Sequence, residues 1–96
     1  MNIVVTYDVN TETKEGRRRL RRVAKICEDY GQRVQYSVFE CSVEPMQMDA
    51  MLAALSDEIN TELDSLRIYR LYGQRSGAVY TLGRDSYRDF SAPLVI

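Results

Sequence analysis

Residues 33–43 read RVQYSVFECSV, and the number of strands in them decides the fold. The stretch is rich in β-branched and aromatic residues, so it is extended by propensity. Ser37, Phe39, Cys41 and Val43 alternate with Tyr36, Val38 and Glu40. An amphipathic helix is expected on each side. From Lys14 to Tyr30, Leu20, Val23, Ala24 and Cys27 recur at i, i+3, i+4 and i+7, with Gly31 placed to stop the helix in the left-handed conformation. After the segment, Glu44-Pro45 opens a second helix, whose apolar stripe is Met48, Met51, Leu52, Leu55 and Ile59. Ahead of the first helix, Ile3 to Val9 (IVVTYDV) reads as a strand with Ile3, Val5 and Tyr7 on one face and Val4, Thr6 and Asp8 on the other. Beyond the second helix, Leu66 to Tyr72 and Ala78 to Leu82 read as strands joined by the glycine-bounded turn GQRSG.

This order suggests an α+β, ferredoxin-like sandwich: an antiparallel sheet with two helices on one face. That fold needs two strands between the helices. A short strand near Arg33 to Gln35, a kink, and a longer strand from Ser37 would supply them. Residues 1–82 then form the domain, and residues 83–96 a polar tail ending in the short apolar segment PLVI.

Ninety-six residues make one small domain, which gains by pairing with a second copy. The N-terminus has no basic region before its apolar residues, and no stretch approaches the roughly 20 apolar residues that span a bilayer. A cytoplasmic location is expected. Cys27 and Cys41 are too few for a disulfide framework and read as small buried hydrophobes. There is no histidine, which removes His-based acid–base pairs and His-ligated zinc or iron. Carboxylates must carry any acid–base or metal work, and a hard cation such as Mg2+ or Mn2+ is the natural cofactor.

The net charge of −1 hides a segregation. Residues 14–33 hold eight basic and three acidic side chains, and the remainder five basic and eleven acidic. Arg18, Arg21, Arg22 and Lys25 line the polar face of the first helix, flanked by Arg17 and Arg19, and residues 16–27 contain no acid. Arginine outnumbers lysine eleven to two, which suits bidentate phosphate contacts. A solvated face remains the plain alternative, although such faces usually mix signs. The aromatic signature of base-reading sheets is missing, so binding is expected along the nucleic-acid backbone, with little sequence specificity. The outer face of the second helix carries Asp49, Asp57 and Glu58 and should avoid nucleic acid.

Asp8 is the only charge among the first eleven residues and sits where the strand gives way to a loop. It reads either as a turn former or as a metal ligand. One carboxylate holds a catalytic metal poorly, whereas a two-fold axis beside the strand end would bring two together. Arg33, Ser37 and Phe39 form a further cluster. Phe39 and Tyr7 are open to a core role as well as a site role.

VVTYDV with Asp8, the arginine-rich helix ending RRVAKICEDYG, the run QRVQYSVFEC, and DSLRIYRL resemble the CRISPR-associated protein 2 family, the small partner of the spacer integrase. The two longer runs resemble its type I-C subgroup. The resemblance covers nearly the whole chain. It implies a ferredoxin-like homodimer in which paired Asp8 side chains bind the divalent metal, and a C-terminal strand exchanged onto the partner's sheet. It implies catalytic or nucleic-acid roles for Tyr7, Arg33, Ser37 and Phe39, and for Arg18, Arg19 and Arg22 among the helix cations. Two activities follow from it. One is metal-dependent hydrolysis of DNA or RNA phosphodiesters. The other is a non-catalytic scaffold that holds pre-spacer DNA between integrase dimers.

Overall fold

A computed structural model describes residues 1–88. The elements are β1 (Asn2–Asp8), α1 (Lys14–Tyr30), β2 (Gly31–Gln35), β3 (Val38–Ser42), α2 (Pro45–Glu58), β4 (Ser65–Leu71) and a single helical turn, α3 (Arg75–Ala78). The sheet runs β2-β3-β1-β4 with every neighbour antiparallel. The decisive segment resolves into two strands. β2 and β3 are joined through Tyr36 and Ser37, and the register shift between Arg33 and Gln35 is the expected kink. This is the ferredoxin-like plan.

The alternation in β1 sets the layers. Ile3, Val5 and Tyr7 are buried, and their partners Cys41 and Phe39 on β3 and Ile68 and Leu66 on β4 lie on the same face. Against that face α1 packs Val23, Ala24 and Cys27, and α2 packs Met48, Met51 and Leu55. Each fully covered Val, Ile or Phe side chain contributes about 1.5–3 kcal/mol. Leu52, expected in the α2 stripe, is 40% exposed instead.

The helix ends are specified locally. Thr13 caps α1 by accepting from the Gly16 amide at 3.0 Å. Gly16 is buried against the loop that follows Asp8: a Cβ there would fall 1.9 Å from the Asn10 carbonyl oxygen. Glu44 and Gln47 form a reciprocal capping box at the start of α2, and Pro45 fills its first position.

Two expectations are corrected. Gly31 does not take up the left-handed conformation. Its φ of −165° is extended, and it ends α1 by donating to the Cys27 carbonyl while already beginning β2. Glycine is needed for a different reason: a Cβ would lie 2.4 Å from both Cys41 Sγ and the Glu40 carbonyl oxygen.

The second correction is that GQRSG is not a hairpin turn and Ala78 to Leu82 is not a strand. Gly73 turns the chain at φ 72°, and Arg75 reaches over the sheet to Glu40 with bonds of 2.7 and 3.2 Å. Glu40 is 9% exposed, on the face away from the helices, and a bidentate pair there outweighs a weak two-strand turn. Arg75 also lies 3.6 Å above the Tyr87 ring and 3.4 Å from Asp85. Tyr80 and Leu82 are left 92% and 86% exposed.

The start of the tail folds back along β2, where Ser86 donates to the Val34 carbonyl and Gln32 exchanges two bonds with the Arg88 backbone. The PLVI segment and its exchanged strand lie outside the described residues. Among the described residues no helix is long and apolar enough to cross a membrane.

Candidate functional site

β1 delivers its last residue, Asp8, to the edge of the open sheet face, where the side chain is exposed. In the register of β1 with β4, Asp8 lies opposite Ser65, Thr6 opposite Arg67, and Val4 opposite Tyr69. Thr6, Tyr7, Asp8, Ser65, Arg67 and Tyr69 line one shallow depression. Arg67 Nη1 donates to the Tyr69 hydroxyl at 3.1 Å. A larger cavity of about 990 Å3 lies at the opposite end of the sheet around Glu40 and Arg75, away from Asp8.

Tyr7, Arg33 and Phe39 gather at the same end of the sheet but under the helices. Tyr7 is 6% exposed, and its ring stacks on Phe39 at 6.2 Å between centroids. Phe39 has no exposed surface. The Arg33 guanidinium lies 5.1 Å from the Phe39 centroid and 3.9 Å from Glu28. Burial pushes the Tyr7 hydroxyl above its ordinary range, and the nearby Arg33 opposes that shift. Ser37 sits in the β2–β3 turn, where its carbonyl accepts the Tyr7 amide at 3.1 Å. The candidate residues are thus divided between the two faces of one sheet end.

The arginine helix divides as well. Arg19 forks onto Asp64 at 2.9 and 3.2 Å. The Asp64 carboxylate is fully covered and also accepts the amides of Asn10 and Asn60, each at 3.0 Å. These bonds, led by Arg19, hold its acid below the usual carboxylate range. Arg19 therefore ties α1 to the loop after Asp8 and to the loop before β4. Arg22 lies 3.5 Å from Glu58 at the end of α2, and Lys25 pairs with Asp29 one turn on. Lys14, Arg17, Arg18 and Arg21 are exposed and have no ion-pair partner among the described residues. Their i, i+3, i+4, i+7 spacing makes one solvent-facing stripe.

Residue-by-residue reading of the sequence missed Asp64 as the organiser, because its partner Arg19 is 45 positions away. It also missed Arg67 and Tyr69. The signal for these was present: LRIYRL alternates, with Leu66 and Ile68 packed against the core and Arg67 and Tyr69 exposed. Arg17 and Lys14 belong to the open stripe although the expected row started at Arg18.

No three His, Cys, Asp or Glu side chains come together to hold a metal among the described residues. The donors beside Asp8 are all oxygens, from Thr6, Ser65 and Tyr69. That set suits a hard cation only if a second carboxylate joins it.

Comparison with known proteins places this architecture. The family described as "CRISPR associated protein Cas2" matches residues 1–79. The chain is 51% identical over 96 residues, covering both chains completely, to a protein of Chlorobaculum tepidum named "CRISPR-associated endoribonuclease Cas2". It is 45% identical over 95 residues, 99% of each chain, to a Halalkalibacterium halodurans protein named "CRISPR-associated endonuclease Cas2". Among solved structures, Streptococcus pyogenes Cas2 at pH 6.5 superposes with a TM-score of 0.77 at 54% identity, covering 86% of this chain and all of that one. A Thermus thermophilus protein, TT1823, superposes at 0.74 with 29% identity, over 90% of this chain and 94% of that one. With the family match extending across the sheet, both long helices and the Asp8 loop, this chain belongs to the CRISPR associated protein Cas2 family.

Proposed function

We propose that this protein is a CRISPR adaptation nuclease that hydrolyses phosphodiester bonds of DNA or RNA as a cytoplasmic homodimer, using a pair of Asp8 carboxylates and Mg2+ or Mn2+. The observation that carries the reading is the exposed carboxylate at the strand end, in a depression walled by hydroxyls and a guanidinium. Relatives carrying the names endoribonuclease and endonuclease support the same chemistry.

One chain supplies one carboxylate. A two-fold axis at the open face would supply the second and give a hard metal its donors. Bound there, the metal would lower the pKa of a water and stabilise charge on the phosphate oxygens. The chain's own residues do the remainder. Asp8 holds the charge that selects the ion. Thr6 and Ser65 offer hydroxyls to a phosphate or its waters. The Asp64 network and Gly16 hold residues 9–13 in place, so that β1 ends at a fixed position.

The α1 stripe of Lys14, Arg17, Arg18 and Arg21 binds the backbone of the polynucleotide by charge. It stands on the helix side of the sheet while Asp8 stands on the open side. That separation favours a second reading, in which the dimer is a scaffold that holds pre-spacer DNA and bridges integrase dimers. Cleavage and binding would then be independent. The discriminating experiment is Asp8→Asn assayed twice, once for cleavage in Mg2+ and Mn2+ and once for spacer acquisition with the integrase. Lost cleavage supports the nuclease, and retained acquisition supports the scaffold in addition. Full cleavage by Asp8→Asn overturns the nuclease reading.

A further inference from the structure

The α1 cations stand on the helix side of the sheet and Asp8 on the open side, so a cation on the open face is better placed to serve the chemistry at Asp8. Arg67 and Arg75 both stand on that face. Arg75 is engaged by Glu40 and Asp85 and lies at the far end. Arg67 shares the depression with Asp8, opposite Thr6 and two residues along the strand pair from the Asp8–Ser65 position, so it is the next side chain on the same face. It has no carboxylate partner among the described residues, and Asp8 itself does not pair with it. Its Nη1 donates to the Tyr69 hydroxyl at 3.1 Å, which fixes one Nη and leaves the other donors of the fork available.

A guanidinium held in this way, diagonal to a carboxylate in one depression, has the chemistry that receives a phosphodiester. Diagonal neighbours on a strand pair stand about 7–8 Å apart, a gap that a phosphate can bridge between the long Arg67 fork and an ion held at Asp8. We infer that Arg67, positioned by Tyr69, binds the scissile phosphate beside Asp8 and neutralises charge that develops on its oxygens during hydrolysis. Ser65 adds a hydroxyl on the same side. This inference rests on the nuclease reading above for its catalytic consequence, but phosphate binding by Arg67 can be read without turnover.

The test uses the full-length protein in two arms. In the first, the Arg67 Nε–Hε NMR signal is followed while a short deoxyoligonucleotide is added to wild type and to Asp8→Asn. The signal should move on titration in both proteins. Movement confined to α1 arginine signals, with Arg67 unchanged, overturns the inference whether or not the protein cleaves. In the second arm, Arg67→Gln should lower kcat about 100-fold, in line with the loss of one charge-stabilising donor. KM and duplex affinity should change less than about twofold, because α1 supplies most of the binding. Tyr69→Phe should cost less, and added guanidinium should partly restore Arg67→Ala. Cleavage by Arg67→Gln within twofold of wild type, while Asp8→Asn is inactive, rejects Arg67 and leaves the nuclease reading intact. Full cleavage by Asp8→Asn together with loss in Arg67→Gln rejects the nuclease reading at Asp8 and retains the phosphate site.

Discussion

Arg18 and Arg19 are neighbours on one helix and have opposite environments. Arg19 is 15% exposed and fastened to a carboxylate with no exposed surface, whereas Arg18 is exposed and has no ion-pair partner among the described residues. Arg22 sides with Arg19 through Glu58, and Lys14, Arg17 and Arg21 side with Arg18. The difference shows that a run of five arginines in six positions is two devices. One positions α1 and the loop after Asp8. The other leaves a positive field in water, where it attracts a polyanion.

The comparison breaks most sharply at Asp64. Asp64→Ala strands the Arg19 fork and the amides of Asn10 and Asn60 together. A denaturant titration should show a loss of about 3 kcal/mol, the lower end for breaking a buried pair, because Arg19 can still reach water. A loss below about 1 kcal/mol would remove the structural role assigned to Arg19.

The open stripe should respond in the other way. Arg18→Ala with Arg21→Ala should leave stability within about 0.5 kcal/mol of wild type. It should weaken nucleic-acid affinity by about tenfold at low salt and flatten the salt slope by about two. Anisotropy titrations over a salt series read both. An unchanged slope would mean that these two arginines face water alone. Arg22→Ala, which breaks a half-exposed pair with Glu58, should cost less than about 1 kcal/mol and change the slope little.

The pH dependence isolates the positioning device. Asp64 has a depressed acid, so its contribution is present above the ordinary carboxylate range and is lost as pH falls through its lowered value. Burial pushes the thiol of Cys27 up to about 12 and that of Cys41 to about 11. Their contribution is therefore complete below about pH 8.5, the ordinary thiol value, and is lost as pH rises through the folded values. Denaturation curves should give a stability plateau between those limits. Replacing Asp64 should remove the acid shoulder and leave the alkaline one.

Much of this was legible in the sequence. The α1 limits fell where the 3.6-residue period put them, and β1 alternated as written. The kink in residues 33–43 was legible as well, since the fold requires two strands where propensity alone shows one. What failed depended on contacts distant in sequence. AVYTL has strand composition, yet the Arg75 pair with Glu40, 35 positions away, redirects the chain before it. Gly31 looked like a helix stop because local sequence cannot show that Cys41 will pack 2.4 Å from where its Cβ would be. Among the site residues, Asp8 was visible as a lone charge. That Tyr7 faces away from Asp8 was legible in the alternation, whereas the gathering of Arg33 and Phe39 beside Tyr7 followed only from the strand register.

The hydrolytic chemistry proposed for the open face depends on Asp8. The most direct measurement is cleavage of a mixed RNA and DNA panel by wild type and by Asp8→Asn, purified identically, across a titration of Mg2+ and Mn2+. Metal-dependent cleavage by wild type, with a loss of at least about 100-fold in the variant and unchanged dimer mass and nucleic-acid affinity, is the expected result. Cleavage by Asp8→Asn at the wild-type rate and metal dependence would contradict it.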